Sequence, residues 1–532
     1  MSIQKKSIQS LLCLWLLILI APFAYADAAS PSPLTIANSS VELAFDLKEG
    51  TVKHWRLPDV LNAQGQAQDL AAPGGKLFAL KGVLKGKTLE EWEALAGGWR
   101  VLQSKSGTVA LGLEDGDLPF TIRKVWSLTD KPSRIGFELS IQLKGASKQA
   151  GDGVWLQLGP GLGEEPTQGL GMGQAIYSFT ELVYRNAEGV ETKRLGHDDL
   201  YEFTAPAELG ATEWVGLQSR YFALLLIPQG NVENHLAWQV QAPKVGLWYP
   251  QHPAFETALQ VEIPLADDRS EGPQVFRWDV YGGGKSYTVL SAQEPALSGV
   301  LFAGLWEWMR ALILGIMFVL GFIHQAAGSW GLSIILLAVL VRLVMYPIAK
   351  NAMAAQKKFA AIQERLQPEL QEIRRNYKGG EQSERILELY EAHKVSPLAG
   401  LKPLLIVLIQ IPIFVALYHL LGQVFELRNE PFLWMKTLAQ PDQLFSFDID
   451  IPFFGKYFNL LPVLMALSTL LSIKFSSASS TNATEAFRQR FFLWLMALVF
   501  FLLFYSFPSG MVMYWTMANI LQFIHQRLVA RK

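Results

Sequence analysis

The sequence predicts a multi-domain membrane protein: an exported antiparallel β-sandwich, then an α-helical five-span membrane core with a cytoplasmic helical hairpin. Three observations predict it. The N-terminus reads as an export signal. Residues 27–297 hold many short alternating segments but no apolar run long enough to cross a bilayer. Apolar runs of spanning character crowd the residues after 300. Half of the 532 residues are hydrophobic and 17% are charged, which fits neither a purely soluble enzyme nor a transporter lying wholly in the membrane. The net charge of −1 names no partner.

The signal occupies residues 1–26. Lys5 and Lys6 precede an apolar stretch at 11–21, and Ala24-Tyr25-Ala26 stands before Asp27. A basic region, a short apolar core and small residues at Ala24 and Ala26 make a cleavable signal peptide; an uncleaved signal anchor is the alternative. Cys13, the only cysteine, lies inside it, so the exported domain has no disulfide. Its stability must come from a conventional core.

The exported domain is expected over residues 27–300. Val41–Leu47 and Thr51–Leu57 alternate around Lys48-Glu-Gly50, a hairpin signal. Further strands are expected at 120–128, 134–143, 221–227, 233–242 and 258–263, with one short helix at 89–95. Many strands and glycine- or proline-rich turns indicate an antiparallel sandwich. The glycine-rich 159–173 reads as a loop and Gly282-Gly-Gly-Lys285 as a turn. The chain has no H-E-x-x-H, no G-x-S-x-G and no phosphate loop, and its eight histidines are scattered. No catalytic residue, metal or cofactor is therefore expected.

The membrane domain is expected over residues 301–532. Residues 306–323 carry Glu307 and Arg310 and an apolar run of only thirteen residues, so an interfacial helix is expected there. Spans follow at 332–349, 404–421 and 460–475, then 491–507 and 511–528 as a pair joined by Pro508-Ser-Gly510. Residues 350–394 carry nine Lys and Arg, against three in the stretch 428–459. Positive-inside logic puts the nine-charge segment and the C-terminus in the cytoplasm. Within 351–394, apolar residues recur at spacings of three and four on either side of Lys378-Gly-Gly380, which predicts a helical hairpin. Phe359, Arg365, Arg374, Arg375 and Tyr377 are its candidate docking residues.

Arg342 lies ten residues into the 332–349 span, about 15 Å of helical rise. A charge at that depth costs at least about 2.5–3.5 kcal/mol and marks a functional site by default. Gln410, Ser468, Ser472, Tyr505, Ser506, Tyr514, Trp515 and Asn519 are the candidate residues lining a polar groove with it; His419, Thr469 and Gln522 also lie within spans. Hydroxyls and amides are also common interhelical glue. No span carboxylate offers itself to Arg342, so a hydrated cavity is expected around an unpaired arginine.

Gly328-Ser-Trp-Gly331, Met345-Tyr-Pro347, Leu389-Tyr390, Val395-Ser-Pro-Leu398 and Ile409-Gln-Ile-Pro-Ile-Phe414 fall in order around these residues. Ala416-Leu-Tyr418, Glu426-Leu-Arg428 and Phe507-Pro-Ser-Gly510 continue the series. Over residues 301–532 the chain resembles the YidC membrane-protein insertase family of Gram-negative bacteria. The exported domain resembles the family's periplasmic β-supersandwich more loosely, through Tyr221-Phe222 and residues 281–285. The resemblance implies an inner-membrane insertase and chaperone, not an enzyme, that moves nascent membrane proteins into the bilayer. It implies a hydrophilic groove, lined here by Arg342, open to cytoplasm and lipid and closed to the periplasm. Implied partners are nascent membrane proteins, the lipid bilayer, the Sec translocon and the ribosome, without sequence-specific nucleic-acid binding. Two positions depart from the family pattern: Ala338 stands where a threonine is common, and Trp515 replaces a tyrosine. The rival reading is a membrane-anchored periplasmic sugar- or protein-binding module. An anchor needs one span and no buried arginine. A small-solute transporter is disfavoured by the missing carboxylates and the lack of an evident repeat.

Overall fold

The computed structural model describes residues 34–530 apart from 63, 72–74, 145–148, 150, 160, 164–178, 194–206, 209–211, 230–236, 242–257, 266–271, 294–296, 394–401, 453 and 476–482. The signal, with Ala24 and Ala26, lies outside the described residues, as do most of 159–173 and the motif at 395–398.

Antiparallel strands fill residues 35–284. The largest sheet orders Gly189–Lys193, Thr180–Asn186, Trp214–Ser219, Phe222–Gln229, Gln274–Gly284, Arg134–Leu143, Phe120–Leu128, Thr108–Leu113 and Arg100–Lys105. A second sheet orders Ala207–Glu208, Ala237–Gln241, Ala258–Ile263, Gly153–Leu158, Ala79–Leu84 and Lys87–Thr88. The hairpin expected near the start becomes the middle of a third sheet, Thr35–Ala37, Glu42–Asp46, Thr51–Leu61 and Ala67–Asp69. The strands expected at 120–128, 134–143 and 258–263 form with those ends. So does the helix α1 (Leu89–Leu95), where Thr88 and Glu91 make a reciprocal capping box. Aromatic rings knit the core, with Phe78 and Phe137 4.6 Å apart and Phe45 and Trp126 4.9 Å apart.

Phe222–Gln229 is apolar at nearly every position rather than alternating, because both of its faces are covered. Leu224 and Leu226 enter the sandwich core. Ala223 and Leu225 join a second apolar cluster, which continues through Leu290, Leu297 and Val300 into the helices. Gly282, Gly283 and Gly284 are not a turn, as the sequence implied, but the last residues of strand Gln274–Gly284. Their small size is used in packing: a Cβ on Gly284 would lie 2.5 Å from the Phe425 ring, and one on Gly282 would lie 2.3 Å from Trp55.

Among the described residues eight α-helices follow: α2 (Tyr287–Gln293), α3 (Glu307–Ala327), α4 (Trp330–Asn376), α5 (Gly380–Ala392), α6 (Lys402–Gln423), α7 (Leu460–Phe475), α8 (Ala483–Phe504) and α9 (Ser509–Ala530). Among the described residues, Glu307–Ala327 and Trp330–Ile348 are long and apolar enough to cross a membrane; Leu460–Leu471 and Phe491–Phe504 are shorter apolar stretches. One expectation changes, the boundary after residue 349. The helix expected at 306–323 is α3, 21 residues long and of a length and composition that also suit a span. Its Arg310 sits in the first turn and donates to the carbonyls of Ser298 and Leu301, each at 3.0 Å, so the charge belongs to the helix entrance. The 332–349 span and the first hairpin helix are one continuous helix, α4, which passes through Pro347 and Pro368 without ending.

The sandwich docks on the helices through buried polar contacts. Arg220, 4% exposed, donates to the Gly422 carbonyl in the last turn of α6 at 2.7 Å and to the Ala439 carbonyl at 2.8 Å. A cation at a helix C-terminus satisfies carbonyls left without intrahelical donors. Arg428 crosses back, donating to the Leu61 carbonyl at 2.8 Å and lying 5.1 Å over the Phe222 ring. Ser286 donates to the Glu426 carboxyl at 2.9 Å, and burial pushes that carboxyl above the usual carboxylate range.

Arg220→Met leaves two buried carbonyls without this donor, each such charged bond being worth about 1.5–3 kcal/mol. The expected outcome is faster limited proteolysis between the sandwich and the helices in detergent, with the sandwich itself intact. An unchanged digestion pattern would show that the docking does not depend on this residue. A second expectation concerns Lys124, which is fully buried. It donates to the carbonyls of Gly50 at 2.7 Å and Phe78 at 2.8 Å. Burial pushes it down to about 7, so the unfolded chain binds more protons between that value and the ordinary lysine value of 10.5. Stability should therefore rise with pH across that window, and Lys124→Met should flatten the rise in thermal midpoint.

Candidate functional site

The site is built on the face of α4 that packs into the bundle. Ile334, Leu337 and Ala338 are buried at helical spacing, and Arg342 follows Ala338 by one turn on the same face. Arg342 is not unpaired. Its Nη1 donates to Gln522 Oε1 at 2.8 Å and its Nη2 to the Ala518 carbonyl at 3.0 Å. Ala518 and Gln522 lie one turn apart on α9, so the planar guanidinium fork grips a single edge of that helix. Tyr514, one turn before Ala518, is buried and within electrostatic reach of Arg342.

The other face of α9 is tied to α7. Asn519 donates to Thr469 Oγ1 at 2.8 Å, and Thr469 donates to the Met465 carbonyl at 2.9 Å. Ser468 is buried and donates to the same carbonyl at 2.7 Å. Counted from the helix starts, Arg342, Thr469, Asn519 and Gln522 lie about 14–20 Å deep. They form one polar layer. Ser472 lies one turn beyond Ser468 in α7, but its side chain is outside the described residues. Gln410 is half-buried on α6, one turn before Phe414. Trp515 packs against Phe414 at 5.1 Å and Phe504 at 5.6 Å, so it fills the junction of α6 and α8 with α9.

Tyr505 and Ser506 are elsewhere, in the turn between α8 and α9 at the end facing the sandwich. The Tyr505 hydroxyl accepts from the Asn459 amide at 3.3 Å and donates to the Tyr457 carbonyl at 3.2 Å. Asp442, 2% exposed, accepts from the amides of Leu460 at 2.7 Å and Leu461 at 3.0 Å and from the Trp434 indole at 3.0 Å. It caps α7 from a distant loop. Ser509 donates to the Gln440 and Thr437 carbonyls, and Gly510 to Leu438, which closes the start of α9 in the same loop. This end of the bundle is sealed by buried hydrogen bonds. Past Arg342, Leu343, Val344, Tyr346 and Ile348 are exposed and Met345 is buried.

Past that point α4 continues to Asn376. Arg365, Arg374 and Arg375 are exposed along it, and Leu366 and Leu370 are buried. Tyr377 follows the helix and lies 5.6 Å from the Arg385 guanidinium of α5. The side chain of Phe359 is outside the described residues. Sequence reasoning placed Gln522 in a span without pairing it to Arg342, and it missed Asp442 and the Ala518 carbonyl. The one available signal was the four-residue spacing of 514, 518 and 522 on α9.

Residues 322–532 match the family model described as 60Kd inner membrane protein. The chain is 29% identical over 363 residues to the membrane protein insertase YidC of Janthinobacterium sp. (strain Marseille), covering 68% of this chain and 58% of that protein. It is 27% identical over 545 residues to the membrane protein insertase YidC of Chlamydia trachomatis serovar D, covering 92% and 65%. The chain thus spans under two thirds of the length of these two relatives. A solved structure described as an active YidC insertase with its first transmembrane domain resolved aligns over 93% of both chains, at 15% identity and a TM-score of 0.35.

The sealed end makes a stability prediction. Asp442→Ala removes the one carboxylate oxygen that accepts all three hydrogen bonds, and hydrogen bonds to charged groups are worth about 1.5–3 kcal/mol each. The detergent-solubilised protein should unfold several degrees lower, with Asp442→Asn between it and the parent. A midpoint unchanged in both variants would refute the capping role.

Proposed function

Because the chain belongs to the YidC membrane-insertase family, we propose that it moves nascent membrane proteins into the inner membrane through a polar groove centred on Arg342. The carrying observation is a charged side chain, in a span-like helix, whose hydrogen-bond partners among the described residues are neutral. Arg342 keeps its full positive charge because Gln522 and the Ala518 carbonyl supply dipoles and no counter-charge. An acidic or polar stretch of a substrate can exchange with those weak acceptors. Its apolar part then moves into lipid along the exposed outer faces of the helices.

The sealed end at Asp442, Asn459 and Ser509 supports a groove closed toward the periplasm, with the sandwich over 27–300 on that side. The exposed residues past Arg342 support an opening toward lipid and cytoplasm. On this topology the C-terminus and the α4–α5 extension are cytoplasmic. There Arg365, Arg374, Arg375, Phe359 and Tyr377 would receive substrate from the ribosome or the Sec translocon. Gln410, Ser468, Ser472, Tyr514, Trp515 and Asn519 belong to the groove wall in this reading; Tyr505 and Ser506 stabilise its closed end. A water-filled inner half shortens the apolar distance that a substrate loop must cross, and a positive charge at its floor attracts acidic segments. Five spans after signal cleavage, with α3 as an additional apolar helix at the sandwich side, satisfy the charge distribution.

The test separates folding from function. Arg342→Met removes a charge that costs about 2.5–3.5 kcal/mol. It also removes two bonds of comparable total worth, so thermal stability should change little. Complementation of a depletion strain should nevertheless fall at least about tenfold, and Arg342→Lys should restore only part because it lacks the fork. Photocrosslinkers at positions 410 and 514 should capture a stalled nascent chain. Full complementation by Arg342→Met, with crosslinks arising from the sandwich alone, would transfer the function to the exported domain.

A further inference from the structure

Between α6 and α7 the chain makes a two-stranded antiparallel ribbon, Phe445–Ile451 with Gly455–Phe458. Its first strand reads Phe-Ser-Phe-Asp-Ile-Asp-Ile; the pairing is irregular between Ser446 and Ile451, and the Phe445 and Phe447 rings lie side by side at 5.4 Å. Phe458 pairs with Phe445 across the ribbon and stacks on it at 4.8 Å. Nothing among the described residues forms a second layer over the apolar side chains of this strand: Phe445 is 50% exposed and Ile449 73%. A lone two-stranded ribbon is marginal in water, and a cluster of large exposed apolar side chains marks a binding surface.

The ribbon is nonetheless firmly held at its base. Leu444 donates to the Phe458 carbonyl at 2.9 Å, Tyr505 donates to the Tyr457 carbonyl at 3.2 Å, and the Phe454 ring meets Tyr505 edge-on at 4.7 Å. These contacts fix it at the sandwich-facing ends of α7 and α8. Both helices carry exposed apolar rows running away from that end: Leu464, Leu467 and Leu471 on α7, and Trp494, Leu498 and Leu502 on α8. Phe458 stands two residues before Leu460, where the α7 row begins. At the same end, Trp306 and Trp308 are exposed at the start of α3, the position of an interfacial aromatic belt. Leu433, in the chain between α6 and the ribbon, is a further exposed apolar side chain. It is 74% exposed at a φ of 53°, a conformation that favours glycine or asparagine, so an apolar side chain is presented there against backbone preference. Between its apolar residues the ribbon carries Ser446 and Asp448, both exposed, which suits water.

We propose that the ribbon at residues 445–458 is an interfacial lipid anchor. Its apolar side chains lie in the headgroup–acyl boundary of the leaflet on the sandwich side, continuous with the lipid-facing wall of α7 and α8. Its polar side chains look to water. The anchor fixes the depth at which the sealed end of the bundle sits in the bilayer, and it stands independently of the insertase reading.

Cys13 is the only cysteine, so a Cys13→Ser background accepts one nitroxide label at a time. The full-length protein in phosphatidylcholine vesicles would carry labels at 445, 448 or 449, with exposed Lys456 as a further water-side position. Power-saturation spectra should show the labels at 445 and 449 more accessible to oxygen than to a water-soluble nickel chelate. The label at 448 should show the reverse. Two outcomes would overturn the proposal. If 445 and 449 respond like 448, the apolar side chains are in water; if they are shielded from both agents, another protein surface covers them. In detergent micelles the contrast between 448 and 449 should persist, which guards against a reconstitution artefact.

Discussion

A charged side chain inside an apolar bundle needs hydrogen-bond partners, and the grip of Arg342 on α9 is how this protein meets that need. The guanidinium has five donors and no acceptor, so it can be satisfied only by oxygen atoms held in a fork-shaped arrangement. A helix edge provides one, through a backbone carbonyl and an amide oxygen a turn further on. The bond therefore does two things. It holds α4 and α9 at a set distance, and it does so without neutralising the charge. A carboxylate partner would have bound more tightly, but at the expense of the field that a visiting acidic segment would feel. Neutral partners leave the arginine satisfied and still attractive.

The remaining architecture makes the two ends of the bundle unlike. At the sandwich side three helix ends are met by groups from elsewhere in the chain: Asp442 on the start of α7, the 437–440 backbone on the start of α9, and Arg220 on the last turn of α6. These contacts form a chain, because Ala439 accepts from Arg220 while its neighbours Leu438 and Gln440 accept from Gly510 and Ser509. The sandwich is thereby joined to three helices through one short loop. At the other side no comparable loop closes over the layer of Arg342, Asn519 and Gln522 among the described residues. α4 simply runs on as a long helix with exposed arginines. Rigidity on one side and openness on the other follow from where the carbonyls and amides find partners.

Much of this was legible in the sequence, and the parts that were not share a cause. Strands 120–128, 134–143 and 258–263 declared themselves because alternation over nine or so residues with flanking turns has one physical reading. The strand expected at 221–227 is Phe222–Gln229; only its lack of alternation was unread, because the cover on its second face comes from elements distant in sequence. Gly282–Gly284 read as a turn because glycine usually supplies turn geometry; here it supplies room for Trp55 and Phe425. The break expected after residue 349 failed because Pro347 interrupts one hydrogen bond, which a long helix in an apolar setting tolerates. The ribbon at 445–458 was hidden inside a segment treated as a connector. As for the site, Arg342 was visible from its cost alone. Its partners were not, since a backbone carbonyl has no signature in sequence and an amide oxygen has many possible uses.

Ala338 is the instructive departure. One turn before the arginine, a threonine would place a hydroxyl on the same face of α4 and could share the work of solvating the guanidinium. Here the position is fully buried, in a cluster that includes Ile334, Leu337, Met511 and Tyr514. Small residues let helices approach closely, and in a bilayer close approach is a main source of association. With alanine at 338 the start of α9 can press against α4. That approach brings the Ala518 carbonyl and Gln522 within 3.0 Å of Arg342 one turn further along. The arginine's oxygens come from the neighbouring helix and none from position 338 of its own. Separating α4 from α9 would then cost the arginine both of these hydrogen bonds at once.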